Sequence, residues 1–271
     1  MANLNRVCNV EDWQKPELVS MMKTLLPYFS VDPKYPTGSE HRKHWEYAHV
    51  VNGLHELGAV HPESWILSVA GGHEEPAFYL TNHIRWMFLC DLYGISSFSD
   101  AEAQTSVLLN PDAFATLPYN RKRLVVQIMN ALDLRYEDGT FNGVFCMSSI
   151  EHFGGFDGAR NALAEMGRVT KPGGIVAITT ECIVNNKPDL DLPGLYLFSP
   201  ATIDRLCSAV PGLVAVEPVE YRVSKKSMEA SYDLHQAVAD AKNNYSRYPH
   251  TLLELEGRLF TSVAVFLRKS L

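Results

Sequence analysis

The 271-residue chain has no apolar run of 18 residues, so no membrane-spanning helix is expected. Its first stretch, MANLNRVCNVEDWQKPE, lacks the apolar centre of a secretory leader. Cysteine is scarce: there are five, at positions 8, 90, 146, 182 and 207, and no two have C-x-x-C spacing. An odd number without paired spacing speaks against a disulfide framework or a zinc knuckle. Cys90, Cys146 and Cys182 lie in apolar runs and are expected to be reduced core thiols of a cytoplasmic protein. A basic surplus is missing too, since 24 Lys and Arg face 31 Asp and Glu for a net charge of -7. Nucleic-acid binding needs a basic face and is not expected. The short cluster Arg121-Lys122-Arg123 reads as the solvated end of an element. Ten histidines are present but scattered; His41 and His44 alone suggest a shared helix face, and no metal site is expected. No repeat or low-complexity segment stands out. What remains is an ordinary globular composition, 46% hydrophobic and 20% charged, with ample material for a core.

Hydrophobic spacing divides the chain. Leu18, Met21, Met22, Leu25 and Leu26 predict a helix over residues 17–29. After the loop SVDPKYPTGSE, Trp45, Ala48, Val51, Leu54 and Leu57 predict a second helix over 41–57, stopped by Gly58. Residues 1–60 are therefore expected to form a helical extension or cap. Beyond it, short apolar strands are expected at 64–70, 85–90, 123–129, 140–147, 175–180, 214–221 and 261–267. Helices are expected at 76–82, 157–169 and 199–210. Strands that alternate with helices and carry little polar alternation predict a doubly wound parallel sheet covered on both faces. The two late strands suit an antiparallel addition at one edge. Residues 222–258 between them read as an inserted helix or lid, rich in Tyr232, His235, Tyr245, Tyr248 and His250.

Ligands of such sheets bind beyond the carboxyl ends of the strands. The first strand is followed by Ala70-Gly71-Gly72-His73-Glu74, where glycine lets the backbone approach a ligand. The second ends at Asp91, an acid able to accept two hydrogen bonds from a ribose diol. The third is followed by Asn130-Ala131, and the fourth by Ser148-Ser149-Ile150-Glu151-His152.

These stretches carry a resemblance. VAGGHE, FLCDLYG, NALDLRYEDGTFNGVFCMSSIEHF and MGRVTKPGGIVAITTE are similar to the motifs of the class I S-adenosylmethionine-dependent methyltransferases, over about residues 64–182. The combination looks most like a bacterial branch associated with polysaccharide and natural-product biosynthesis. The resemblance implies a Rossmann-like, seven-stranded sheet with its last strand antiparallel, occupying residues 61–271. It implies S-adenosyl-L-methionine as cofactor. Ala70, Gly71, Gly72 and Glu74 would meet its methionine part, Asp91 and Leu92 its ribose, Asn130 and Ala131 its adenine, and Ser148 the wall near the sulfonium. The chain departs from the family pattern at Ser68, where an acid is usual, at Ala70 and Glu74, where glycines are usual, and at Asn130, where an acid is usual; Asp133 takes that last role if the register shifts by three.

Methyl transfer is an in-line displacement that needs alignment and, for a hydroxyl, a base. His152 and Glu151 are the candidate catalytic bases, and Glu181, Tyr232 and His235 the candidate substrate contacts. The expected activity is methyl transfer to a small-molecule hydroxyl, of a sugar or glycan precursor or a natural product. The expected partners are that small molecule and a second copy of the chain, with no membrane insertion. An alternative is a catalytically inactive relative that binds or scaffolds. A nicotinamide-dependent dehydrogenase fits less well, because it needs G-x-G-x-x-G where this chain reads AGGHEE. Glu75 precedes Pro76, so the helix is expected to begin at the proline. The turn AGGHEE then offers an acid rather than free amides, which suits a cationic ligand better than a pyrophosphate.

Overall fold

The computed structural model describes residues 3–96, 103–242 and 248–271. The chain opens with β1 (Arg6–Val7), α1 (Pro16–Leu25) and α2 (Arg42–Glu56). The alternating part comes next, as β2 (Trp65–Val69), α3 (Glu75–Leu80), β3 (Trp86–Asp91), α4 (Ser106–Leu109), β4 (Leu124–Ile128), β5 (Phe141–Met147), α5 (Gly155–Val169) and β6 (Thr170–Ile183). A hairpin, β7 (Leu190–Leu192) and β8 (Leu195–Leu197), leads to α6 (Pro200–Ser208) and β9 (Leu213–Ala215). The chain finishes with α7 (Lys225–Glu229), β10 (Tyr232–Asp233), α8 (Leu234–Lys242), β11 (Leu253–Leu255) and β12 (Arg258–Lys269).

Strands β2 to β6 are parallel and lie in the order β4-β3-β2-β5-β6, with β12 antiparallel beside β6. This is the α/β sheet that the hydrophobic pattern predicts. Its strand count is ten rather than seven, because β1, β10 and β11 join it as well. Those three strands have two or three residues each, too few to leave a period-2 signal. β1 and β11 form on the edge of β12, where Arg6 and Val7 pair with Ala264 and Val263 and Leu253 pairs with Phe260, and β10 adds to β11 through Tyr232 and Leu253. The N-terminal extension is thus not purely helical. Residues 222–258 likewise contribute sheet edge as well as helix, with Tyr232, Leu253, Leu255 and Phe260 forming a small core of their own. The expected strand at 214–221 is confined to Leu213–Ala215. The expected turn at Lys171–Gly174 lies inside β6, at a register shift against β5.

Both faces of the sheet are covered. Phe145 and Met147 of β5, with Ala264 and Phe266 of β12, pack against Trp45, Val51 and Leu54 of α2. Their neighbours Val144, Cys146, Val263 and Val265 pack on the other face against Leu163 of α5 and Leu206 of α6. All five cysteines are free and buried. The spacing in α2 predicts one apolar side, yet His44, Glu46, Tyr47 and His49 are buried too. The helix lies between the sheet and α1, so its polar positions are enclosed.

The close approach of α2 to the sheet depends on Gly53. A Cβ there would sit 2.3 Å from Cζ of Phe266, whose ring is fully buried. Gly53→Ala is therefore expected to destabilise the protein by about 1 kcal/mol, overpacking outweighing the better helix propensity of alanine. Urea unfolding measures it; a stabilised variant would mean that the helix shifts freely.

Candidate active site

The carboxyl ends of β2 to β6 open into a cleft of about 860 Å³, covered from the N-terminal side by the start of α2. Ala70, Gly71, Gly72, Glu74, Asp91, Leu92, Asn130, Ala131, Ser148, Glu151, His152 and Glu181 all line it. Residues picked from five separated strand ends are thus brought to one cavity.

The glycine turn is shaped by what lies beneath it. A Cβ on Gly71 would stand 2.1 Å from Oγ of Ser68 and 2.8 Å from Cδ1 of Leu89. Ser68 is buried and its Oγ has no hydrogen-bond partner among the described residues. Gly72 has φ +48°, as does Ser148, and Ala70 has φ +52°. The amide of Gly72 donates to Oδ2 of Asp91 at 2.9 Å, and the Leu92 amide donates to Oδ1 at 2.7 Å. The Asp91 carboxylate therefore buttresses the turn while it lines the cleft, and a carboxylate oxygen can accept more than one hydrogen bond. Helix α3 starts at Glu75, one residue before the expected Pro76, and puts that acid in its first turn. Negative charge there opposes the helix dipole's attraction for phosphate. Asn130 lines the cleft, whereas Asp133 does not; Asp133 is exposed and lies 3.6 Å from Arg135.

The residues that sequence reasoning missed come from α2. Glu46 is buried and accepts hydrogen bonds from the hydroxyls of Ser148 at 2.6 Å, Thr179 at 3.0 Å and Ser262. Lys43 reaches across the cleft, with its Nζ 2.7 Å from Glu74, 3.7 Å from Glu46 and donating to the Met147 carbonyl at 2.9 Å. Burial opposes its charge, but Glu74 and Glu46 outweigh burial and hold it protonated. Arg42 pairs with Oε1 of Glu181 at 2.6 Å and donates to Nδ1 of His250 at 3.2 Å. The signal was present in the run HRKHWEY, a basic helix start next to apolar residues. Nothing local says that it meets the strand ends.

At the far end of the cleft stand Glu151 and Glu181, both buried. Glu151 accepts from the Thr180 hydroxyl at 2.9 Å. Burial first, and the nearby Glu181 second, push its carboxyl up to about 8. Burial also raises Glu74 to about 7, with Glu46 and Glu75 adding to it against the pull of Lys43. Oε2 of Glu181 and Oε2 of Glu74 are buried without a hydrogen-bond partner among the described residues. His152 donates from Nδ1 to the Gly194 carbonyl at 2.6 Å, so Nε2 is the basic nitrogen of the neutral ring. Gly194 belongs to the β7–β8 hairpin, which thereby orients the imidazole.

Two expected substrate contacts lie elsewhere. Tyr232 is buried in the small core at the sheet edge and His235 is exposed on α8; neither lines the cleft. Their spacing in a tyrosine- and histidine-rich insertion does not fix which way the insertion faces. Tyr245 lies outside the described residues. Of that insertion, His250 comes nearest, stacking on His41 at 4.1 Å and contacting Arg42. His41 and His44 line the cleft, but among the described residues no group of His, Cys, Asp and Glu has the arrangement of a metal centre.

Residues 91–178 match the family model described as a methyltransferase domain. The match spans 88 of the 271 residues, from the end of β3 into β6. No curated protein matches the chain. Among solved structures, the [4+2]-cyclase SpnF is similar at 17% identity with a TM-score of 0.55, covering 98% of this chain and 99% of its own. The MccD protein is similar at 14% identity and a TM-score of 0.51, covering 85% of this chain and all of its own, 100%. Magnesium protoporphyrin IX methyltransferase (ChlM) from Synechocystis PCC 6803, solved with bound SAH, is similar at 11% identity and a TM-score of 0.50, over 89% and 87% of the two chains. At such identities the likeness is one of fold, the class I methyltransferase fold.

The cleft carries a pH signature. Glu74 and Glu151 bind protons more tightly in the folded chain than their ordinary 4.5, so the folded state holds extra protons up to about 8 and loses stability as pH rises through that range. Buried His44 and half-buried His250, depressed by desolvation to about 4, act in the opposite sense but only below their ordinary 6.5. Between pH 6.5 and 8 the carboxyls decide. The melting temperature of the ligand-free protein should fall across this window, and Glu151→Gln should flatten the fall; a melting temperature that rises with pH would contradict the assignment.

Proposed function

We propose that the protein transfers a methyl group from S-adenosylmethionine to a hydroxyl of a small molecule, a sugar or glycan precursor or a natural product. The observation that carries this reading is the convergence of Gly71, Gly72, Asp91, Asn130 and Ala131 on one cleft beside buried acids. That donor set suits S-adenosylmethionine. The Asp91 carboxylate can take ribose hydroxyls, and the lack of a Cβ at Gly71 lets the turn settle onto Ser68 and Leu89 beneath it. Glu74, with one oxygen on Lys43 and the other unpartnered, suits the cofactor's cationic amine. When bound, the cofactor supplies an electrophilic methyl on a positively charged sulfur.

The chain's own residues then have separable tasks. Asp91, Asn130 and the glycine turn bind. Ser148, fixed by its bond to Glu46, walls the cleft next to the end of β5. His152, with Nδ1 committed to Gly194, takes the acceptor's proton at Nε2. Glu151, held mostly protonated at neutral pH until a cation replaces that proton, is the less effective base there. Positioning of cofactor and acceptor accounts for most of the rate such a site can supply.

Calorimetric titration with S-adenosylmethionine tests the reading directly, and absence of binding at millimolar cofactor would sink it. Asp91→Ala should weaken binding at least roughly tenfold, through loss of charge-assisted hydrogen bonds and of the turn's buttress. Once an acceptor is in hand, His152→Ala should lower kcat by about 10²-fold or more while leaving cofactor affinity nearly unchanged.

A further inference from the structure

The acceptor end of the cleft holds more carboxyl groups than cations. Glu151 and Glu181 lie on neighbouring elements, the turn after β5 and the end of β6, and both are more than nine-tenths buried. Arg42 contacts one of them, through a bond to Oε1 of Glu181, and reaches Glu151 only through its field. Lys43 is committed elsewhere, to Glu74, Glu46 and the Met147 carbonyl. The neighbouring imidazoles add no positive charge. Nδ1 of His250 accepts from Arg42, and His41 is stacked on His250 with its own Nδ1 accepting the Lys43 amide. Two buried acids thus share one base.

A second observation is independent of the charge count. Oε2 of Glu181 is buried, in a residue that lines the cleft, and has no hydrogen-bond partner among the described residues. An unsatisfied buried carboxylate oxygen costs stability that a bound donor returns. This oxygen is also away from the ribose-binding acid. Asp91 ends β3 and Glu181 is near the end of β6, with β2 and β5 between them. Three interstrand steps of about 4.8 Å put them on the order of 14 Å apart. On the methyl-transfer reading the cofactor would be held by residues at the ends of β2 to β5, which leaves Glu181, at the end of β6, for the acceptor.

We infer that the methyl acceptor carries a protonated amine that docks between Glu151 and Glu181. This rests on the methyl-transfer reading and narrows its substrate class from hydroxyl compounds in general to amino alcohols and amino sugars. A neutral polyol could donate one hydrogen bond to Oε2 of Glu181 but carries no charge to take the place of the proton on the second acid, Glu151. A monocation supplies the donor and balances the surplus acid at once, with Arg42 keeping Oε1. Tyr28, Phe29 and Tyr47 line the same cleft and give the remainder of such a compound an apolar wall.

The test uses ethanolamine and ethylene glycol as matched probes, one with an ammonium and one without. Saturation-transfer NMR is recorded on the full-length protein with and without S-adenosylhomocysteine, whose own binding is measured by calorimetry. Ethanolamine should show transfer that ethylene glycol does not, and Glu181→Gln should weaken its binding at least roughly tenfold, as expected for a lost charge-assisted pair. Retained S-adenosylhomocysteine affinity shows that the variant is folded; if it is lost, Glu151→Gln replaces it in the comparison. Equal transfer from both probes, none from ethanolamine, or transfer unchanged by these substitutions overturns the amine site. A protein that refuses S-adenosylhomocysteine but holds ethanolamine through Glu181 loses the methyl-transfer reading and keeps the amine site.

Discussion

The contact on which the rest of the site depends is the buried carboxylate of Glu46. One residue of α2 is tied to Ser148 after β5, Thr179 in β6 and Ser262 in β12, so a single side chain bolts the helix across three strands. A buried acid is expensive unless its oxygens are satisfied, and here three hydroxyls and a lysine satisfy them. The same contact places Arg42 and Lys43, four and three residues earlier, over the strand ends. Without it the cleft would lack its cover and both of its cations.

The cover and one wall of the cleft are thereby one structure. Ser148 gives its hydroxyl to Glu46 while its backbone, at φ +48°, turns the chain toward Glu151 and His152. Gly53 lets the other end of α2 settle onto Phe266. The helix is thus seated by a polar clamp at the cleft and by close packing below it. The result is a cavity rich in buried acids, where each uncompensated carboxyl either holds a proton or awaits a cation.

Much of this was legible in the sequence. The longer strands of the central sheet have enough apolar residues to show themselves, and the glycine turn, Asp91 and Ser148 were recognisable from their places at the strand ends. Gly71 was readable because a strand-to-helix turn needs it, although the clash that excludes a side chain there, with Ser68 and Leu89, belongs to the fold. The strands β1, β10 and β11 were not legible. They are too short to carry a pattern and exist only where a longer or already paired strand offers an edge, β12 for β1 and β11, and β11 for β10. Tyr232 and His235 were misplaced for a related reason: residue type in an insertion does not say which side of the sheet edge it will meet.

The sequence by itself determined the layered α/β plan, the class of domain and the strand ends at which a ligand must sit. Those depend on local periodicity and on turn chemistry, which short windows contain. Only the tertiary structure decided that the start of α2 closes the cleft, that Lys43 faces Glu74, and that Glu151 and Glu181 share a single arginine. Such pairings join residues up to 139 positions apart, as Arg42 and Glu181 are. Their energies depend on burial and distance, and neither exists until the chain has folded.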